Sequence, residues 1–491
     1  MIAFLLAAIL LRIWAAMPLS LLYPDEIGQY LEQAHRLVFG HGIVPWEYRE
    51  GIRSWLPPVL LAGPMALGEA LAPGTTAYLM LPKLMLALCS LSLLWAGWRL
   101  GRAVSPLHGW TALAVAACWY EFVQMGVHPL TEPLATAAIV PGAALLLSGT
   151  PGRRAVMVGA FLLAIGVLLR FHYGPAVALI GVAALWGHWR ARFVPMLIGG
   201  LIAAAISGAV DLWAGQLPFA WIIANVRFNI VHDVASQFGV TPPTAYLGGY
   251  IESWGWARIP IFLLILPAIR HHRALFWAAI LNLAVHSLIG HKEYRFVFLT
   301  TAIFILLSAI GTVDVLTWLR RRFAPRAPVW TTLAAIPLWA GTSASLAATP
   351  PRTVGWTQFG ATLNLMAQAG RTPGACGIAV ERQWFWISGA HVMLRRNIPI
   401  YPEDAIDPAA ARAGVRLNAL SGYNLLIGPE RMRTRLPGEY AVVACRASGR
   451  ERDFNAYADG ARVCLFQRPG PCQTQGLENY QAQAVLERFG R

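Results

Sequence analysis

Two adjacent carboxylates, Asp25 and Glu26, follow an apolar stretch in the run Tyr23-Pro24-Asp25-Glu26. Carboxylates at the end of a hydrophobic helix are costly beside lipid unless they are wetted, paired or used. Partial burial also raises a carboxyl pKa toward the range of a general base. The same pair would equally serve as an acidic flank that anchors the helix end, so catalytic and anchoring roles both fit. The segment Trp46-Glu47-Tyr48-Arg49-Glu50-Gly51-Ile52-Arg53-Ser54-Trp55 is a second candidate. Aromatic faces such as Trp46 suit sugar rings, and Arg49 and Arg53 suit phosphate; the alternative is an aromatic belt with local ion pairs. A third is His291-Lys292-Glu293-Tyr294-Arg295-Phe296. His291, Lys292 and Arg295 bring three potential cations to one short loop, which fits a phosphate, although long basic side chains also snorkel as membrane anchors. Two weaker candidates remain. Glu132, in His128-Pro129-Leu130-Thr131-Glu132-Pro133, is a cavity carboxylate or a helix cap. Arg170, in Arg170-Phe171-His172-Tyr173, is a phosphate ligand or, by slight preference, an anchor.

These residues have to be positioned by a membrane protein. Of 491 residues, 57% are hydrophobic and 13% charged, against about 25% charged in a soluble domain. That composition excludes a cytosolic protein, a disordered chain and a nucleic-acid binder with a wetted surface. The net charge of +15 comes almost entirely from arginines clustered between apolar runs, where basic residues set orientation. Eleven apolar runs read as spans: 2–22, 76–98, 108–122, 130–148, 155–170, 174–187, 193–214, 252–269, 274–290, 296–318 and 328–347. The first has neither the basic flank nor the cleavage site of a signal peptide. The stretch 58–72, broken by Pro57, Pro58 and Pro64, reads as an interfacial or re-entrant helix.

With that assignment five clusters fall on one face: Arg99 and Arg102, Arg153 and Arg154, Arg190 and Arg192, Arg270 and Arg273, and Arg320 to Arg322 with Arg326. The positive-inside rule makes that face cytoplasmic. The loops 23–75 and 215–248 and the tail 348–491 then lie outside. From about 350 the long apolar runs stop, and short β-like runs such as Ile378–Val380 and Tyr440–Ala444 appear. The expected architecture is a transmembrane domain over 1–347 and a small extracytoplasmic mixed α/β domain over 348–491. Cys376, Cys445, Cys464 and Cys472 sit in a disulfide-permissive compartment, but spacing leaves pairing and free thiols equally open. No CxxC pair suggests zinc. Cys89 and Cys118 fall within spans and read as packing residues.

Taken together, "PDE" after the first span, "EQAHRLVFGHG", "WEYREGIRSWLPP" and "HKEYRF" resemble the family 22 glycosyltransferases, the mannosyltransferases that extend lipid-linked oligosaccharides and the GPI-anchor glycan. The resemblance is dense over 23–58 and 291–298. It implies a GT-C membrane fold and inverting transfer of a sugar, mannose by family inference, from a polyprenyl-phosphate carrier to a glycan or glycolipid on the exoplasmic face. It makes Asp25 the general base, with Glu26 assisting it or orienting the acceptor. Lys292 and Arg295 would hold the leaving phosphate, with His291 donating to it and Arg49 and Arg53 helping at either substrate. Two departures stand out. Tyr23 occupies the place of the family's usual His, and Thr241-Pro242-Pro243-Thr244-Ala245-Tyr246 keeps only Pro242 and Tyr246 of a longer His- and Trp-rich string, which leaves Tyr246 as a substrate candidate. The lipid-phosphate sugar is then a co-substrate; no cofactor is obligatory, a divalent metal stays open, and no nucleic-acid partner is implied. The near-exclusive use of Arg over Lys and the compact loops point to a bacterial plasma membrane, with the site facing the periplasm. The competing class is a transporter or flippase of a lipid-phosphate glycan, though no inverted repeat or paired broken helices speak for it. A third is a non-catalytic subunit that binds lipid-linked glycans.

Overall fold

The computed structural model describes residues 2–350, 352–381, 385, 387–403, 419–434, 436–447 and 462–489. They divide into two compact units. One gathers Met1–Ala16, Gly51–Pro57 and Lys83–Arg352; the other gathers Met17–Glu50, Pro58–Pro82 and Thr353–Arg491.

The first unit is a helical bundle. Among the described residues four helices are long and apolar enough to cross a membrane: Ala77–Arg102, Trp189–Trp213, Ala245–Ile269 and Tyr294–Phe323. Other expected spans are shorter apolar helices, including Ile2–Ala16, Thr131–Leu147 and Arg273–Leu288. The 58–72 stretch is the helix Leu56–Leu71 with Pro64 inside it; most of it falls in the second unit, as do residues 77–82 of the helix Ala77–Arg102. The helices pack closely where side chains vanish. A Cβ on Gly311 would strike the Leu264 carbonyl, and one on Gly199 the Met157 carbonyl, the small-residue contact typical of membrane bundles.

One break inside the bundle organises its polar residues. The helix Pro106–Cys118 stops at Trp119, whose backbone is extended (φ −61°, ψ 123°), and a new turn runs Tyr120–Met125. The Tyr120 N–H donates to Ser343 Oγ at 2.8 Å instead of to Ala116, so carbonyls at the end of the first helix lose their usual partners. Arg12, fully buried in Ile2–Ala16, meets them. It donates to Ala117 O (3.1 Å), Ala116 O (3.3 Å) and Ser90 Oγ (2.7 Å).

The second unit carries a five-stranded mixed sheet: β1 (Ile378–Glu381), β2 (Ile400–Glu403), β3 (Leu425–Pro429), β4 (Ala441–Ala447) and β5 (Arg462–Gln467). The order is β2-β1-β3-β5-β4. β1 runs parallel to β2 and β3, while β5 is antiparallel to β3 and β4. Tyr401, Tyr423, Leu426 and Phe466 fill its core. The disulfides join Cys376 to Cys472 and Cys445 to Cys464, which resolves the pairing. The second links directly paired residues and tacks the edge strand β4 to β5. Cys89 and Cys118 remain free thiols.

Candidate functional site

In the second unit, the two carboxylates after the first helix have separate environments. Asp25 is half-buried at the start of a π-helical turn, Glu26–Leu31. Glu26 is fully buried, and its Oε1 accepts the Leu22 and Tyr23 N–H groups at 2.6 and 3.0 Å. Glu26 therefore closes the turn that presents Asp25. The neighbouring helix Glu32–Phe39 behaves like Glu26. Glu32 accepts Ile43 N at 2.7 Å and Val392 N at 3.0 Å. The His35 ring nitrogens face the His41 and Leu394 carbonyls at 3.1 and 3.0 Å, and burial pushes its imidazole down to about 4. Trp46 opens the short helix Trp46–Arg49. Arg49 is exposed and donates to Leu486 O at 3.3 Å. Arg53 belongs to the other unit, so the ten-residue aromatic segment is divided.

In the first unit the predicted residues converge on Glu132, which is wholly buried. Arg170 Nη2 lies 3.2 Å and Arg295 Nη1 3.8 Å from Glu132 Oε1. Both guanidinium groups lie over the Phe296 ring, 4.8 and 5.1 Å from its centroid. Arg170 is 8% exposed; it is a paired interior cation, and the preference for a snorkelling anchor is corrected accordingly. Arg295 Nε also donates to Glu293 Oε2 at 2.7 Å, and His291 Nε2 meets Glu293 Oε1 at 3.1 Å. Burial alone would raise the Glu293 carboxyl, but Arg295 and the His291 bond outweigh it and hold it at about 2. The bond to Glu293 in turn raises the His291 imidazole, against its partial burial. Tyr246, buried, lies in the field of Arg170, Glu293 and Glu132, and the Arg53 charge acts on His172.

Lys292 stands apart from this cluster. Its ammonium donates to Ile289 O (2.5 Å), Thr241 O (2.9 Å) and Gly290 O (3.4 Å). It caps the end of the helix Arg273–Leu288 and ties that end to the 241 segment.

Three bundle residues escaped the sequence reading. Glu121 accepts Trp119 Nε1 (2.8 Å), Trp254 Nε1 (3.0 Å) and Tyr294 Oη (2.7 Å), and so holds the middle of the His291–Phe296 loop. Asn282 and His286 sit buried on one helix face. Ionisable residues inside apolar runs are themselves a signal, and Glu121 and His286 both carry it.

Residues 3–350 match the Alg9-like mannosyltransferase family. GPI alpha-1,2-mannosyltransferase 3 of Danio rerio is 24% identical over 318 residues, covering 60% of this chain and 56% of that one. GPI mannosyltransferase 3 of Yarrowia lipolytica is 28% identical over 290 residues, covering 56% and 55%. The chain thus spans about half the length of these curated relatives. ArnT from Cupriavidus metallidurans, crystallised with undecaprenyl phosphate, superposes with a TM-score of 0.59 at 12% identity over 94% of this chain and 97% of that one. This likeness shows the fold, the helical GT-C architecture expected above.

Proposed function

This chain belongs to the Alg9-like mannosyltransferase family, and on that premise we propose that it transfers a sugar, mannose, from a polyprenyl-phosphate carrier to a glycan or glycolipid hydroxyl at the outer face of a membrane. The match over residues 3–350 carries the proposal, because it contains both the Asp25 segment and the His291–Phe296 loop. The relatives' names, GPI mannosyltransferases, and the lipid phosphate bound to ArnT support the same chemistry.

The reaction is a single displacement. The acceptor oxygen bonds to the anomeric carbon while Asp25 takes its proton. The bond from that carbon to the phosphate oxygen breaks, and its electron pair leaves with the phosphate. Arg295 and Arg170 neutralise the charge that develops there. Inversion follows, so a β-linked donor gives an α-linked product. Glu26 shapes the turn bearing Asp25. Glu132 is the internal counter-ion that keeps two arginines ordered in a low-dielectric interior. Lys292 and His291 brace the loop that bears Arg295, the ammonium on carbonyls and the imidazole on Glu293. The donor carries no nucleotide, so the scheme requires no metal to hold one.

The test is incubation of the purified full chain with polyprenyl-phosphate mannose and a mixture of lipid-linked glycans, read by mass spectrometry. Addition of one hexose to one glycan is expected. Movement of the lipid across vesicles without a new glycosidic bond would establish the transporter reading instead. Orientation is tested separately: a cysteine at Gly40 should label from outside intact cells, while one at Gly152 should stay protected.

A further inference from the structure

The helix Arg273–Leu288 carries two buried hydrogen-bond acceptors that the scheme above does not use. His286 Nδ1 lies 2.8 Å from the Asn282 backbone carbonyl. A carbonyl only accepts, so Nδ1 carries the ring proton, and Nε2 is left as a bare lone pair. His286 Nε2 is buried and has no hydrogen-bond partner. Asn282 is fixed by the same logic. Its Nδ2 donates to Thr300 Oγ1 at 3.0 Å, and Thr300 Oγ1 donates to Ala279 O at 2.9 Å. The amide oxygen, Asn282 Oδ1, is therefore also a pure acceptor, buried and without a partner.

Two buried acceptors one helical turn apart lie on one face, with side chains about 5–6 Å apart at their roots. Each left unsatisfied is destabilising, and both call for a hydrogen-bond donor. The surroundings narrow the choice. The Tyr173 and His172 rings lie 5.8 and 6.0 Å from the His286 ring, and the Arg170 and Glu132 charges act on His286. A group that offers hydroxyl protons, presents a face to rings and sits beside the arginine pair proposed for phosphate is a sugar attached to that phosphate.

We propose that His286 Nε2 and Asn282 Oδ1 form the donor-sugar subsite, each accepting a hydrogen bond from one hydroxyl of the transferred ring. The subsite rests on the glycosyl-transfer reading and adds the residues that select the sugar. It predicts discrimination by hydroxyl pattern, because a buried acceptor built for a hydroxyl rejects an analogue lacking it more strongly than an apolar pocket rejects a change in size.

The experiment measures binding of the full chain in nanodiscs to undecaprenyl phosphate, to its mannosyl form and to mannosyl forms lacking one hydroxyl each. Wild-type protein should bind the complete sugar lipid more tightly than one deoxy form by about 10- to 100-fold. His286→Phe keeps a ring and removes the acceptor. It should lose that discrimination while its affinity for bare undecaprenyl phosphate stays unchanged. His286→Gln, which retains an acceptor oxygen, should recover part of it, and Asn282→Leu should lose discrimination at a different hydroxyl. Equal losses for bare and sugar-bearing lipid, or unchanged discrimination in His286→Phe, would overturn the subsite and assign both acceptors to structure or to bound water. The two readings fail separately. Wild-type protein that discriminates hydroxyls but forms no product overturns transfer and keeps the subsite. Product formation without discrimination keeps transfer and overturns the subsite.

Discussion

The two compact units lean opposite ways in how they hold buried carboxylates, although in the unit holding the tail Glu47 accepts the Gln29 side-chain amide at 3.1 Å and Glu32 lies 3.5 Å from His391. In the unit holding the tail, Glu26, Glu32 and Glu403 accept backbone N–H groups: Leu22 and Tyr23, Ile43 and Val392, and Ala419. In the helical bundle, Glu121, Glu132, Glu293 and Asp314 meet side chains instead, from Trp and Tyr to Arg and His. Asp211, which accepts Phe219 N at 2.9 Å, is the bundle's exception. Helices satisfy their own backbone and leave few N–H groups to offer a carboxylate; irregular loops have such groups in surplus. A backbone-held carboxylate shapes the chain, whereas one held by side chains sets the charge state of its partners. Asp25 is half-buried on the turn that Glu26 closes.

The largest expected effect separates Asp25 from Glu26. Asp25→Asn should lower turnover by about 10²–10⁴-fold with the melting temperature intact. Glu26→Gln should act mainly on stability, since it weakens charge-assisted bonds to two N–H groups worth about 1.5–3 kcal/mol each. Assay and melting of both variants in detergent check this; a full loss of turnover in Glu26→Gln with unchanged melting would make Glu26 the base.

Next in size is rescue. Glu132→Gln strands the interior Arg170 without its counter-ion, while Arg295 keeps Glu293, and should cost the bundle about 3–5 kcal/mol. Adding Arg170→Met should restore much of that, because the stranded charge goes with it. Glu32→Gln should be rescued little by a change at His391, 3.5 Å away, because its shortest bonds are to the backbone N–H groups of Ile43 and Val392. Additive losses in the Glu132–Arg170 cycle, measured by melting, would break the distinction between the units.

A smaller contrast lies inside one loop. Arg295→Ala should raise KM for the lipid donor at least about tenfold, and Arg295→Lys should recover little of it, since an ammonium lacks the guanidinium fork. Lys292→Met should change donor KM less and lower stability by about 1 kcal/mol, the scale of a lost hydrogen bond. A reversal of the two KM effects would return the phosphate to Lys292.

The smallest effect is on pH. His291 is raised by its bond to Glu293, so its contribution is complete below the ordinary imidazole range and fades as pH rises through the raised value. Glu293 is held at about 2, so its contribution is complete above the ordinary carboxylate range and fades as pH falls toward that value. The loop should be most stable between roughly pH 4.5 and 6.5. Melting curves across pH should show His291→Asn losing the decline above that window; an identical decline in both proteins would remove His291 from the account.

The membrane class, the mixed α/β tail and the family were legible because composition and ordered motifs are local properties of a chain. The runs Ile378–Val380 and Tyr440–Ala444 anticipated β1 and β4 for the same reason. Partner choice was not legible. Lys292 has the chemistry of a phosphate ligand, yet three carbonyls hold it; those carbonyls exist because a helix ends there, which residue type does not announce. Arg170 and Arg295 are 125 positions apart in sequence, and only folding brings Glu132 to both. Glu121 and His286 stand out as ionisable residues in apolar runs, but the partners of Glu121, Trp119, Trp254 and Tyr294, come together only in the fold.

The interrupted helix at Trp119 has a consequence for biogenesis. Arg12 finds its acceptors in carbonyls 104 and 105 positions further along the chain. The first helix therefore emerges from the ribosome bearing a charge that disfavours insertion by about 2.5–3.5 kcal/mol at mid-bilayer, with its compensating groups still unsynthesised. Stable lateral release of that helix should wait for the break at Trp119 to arrive. In nascent chains truncated before residue 118 a cysteine placed in the first helix should stay open to a water-soluble label, while in slightly longer ones it becomes protected.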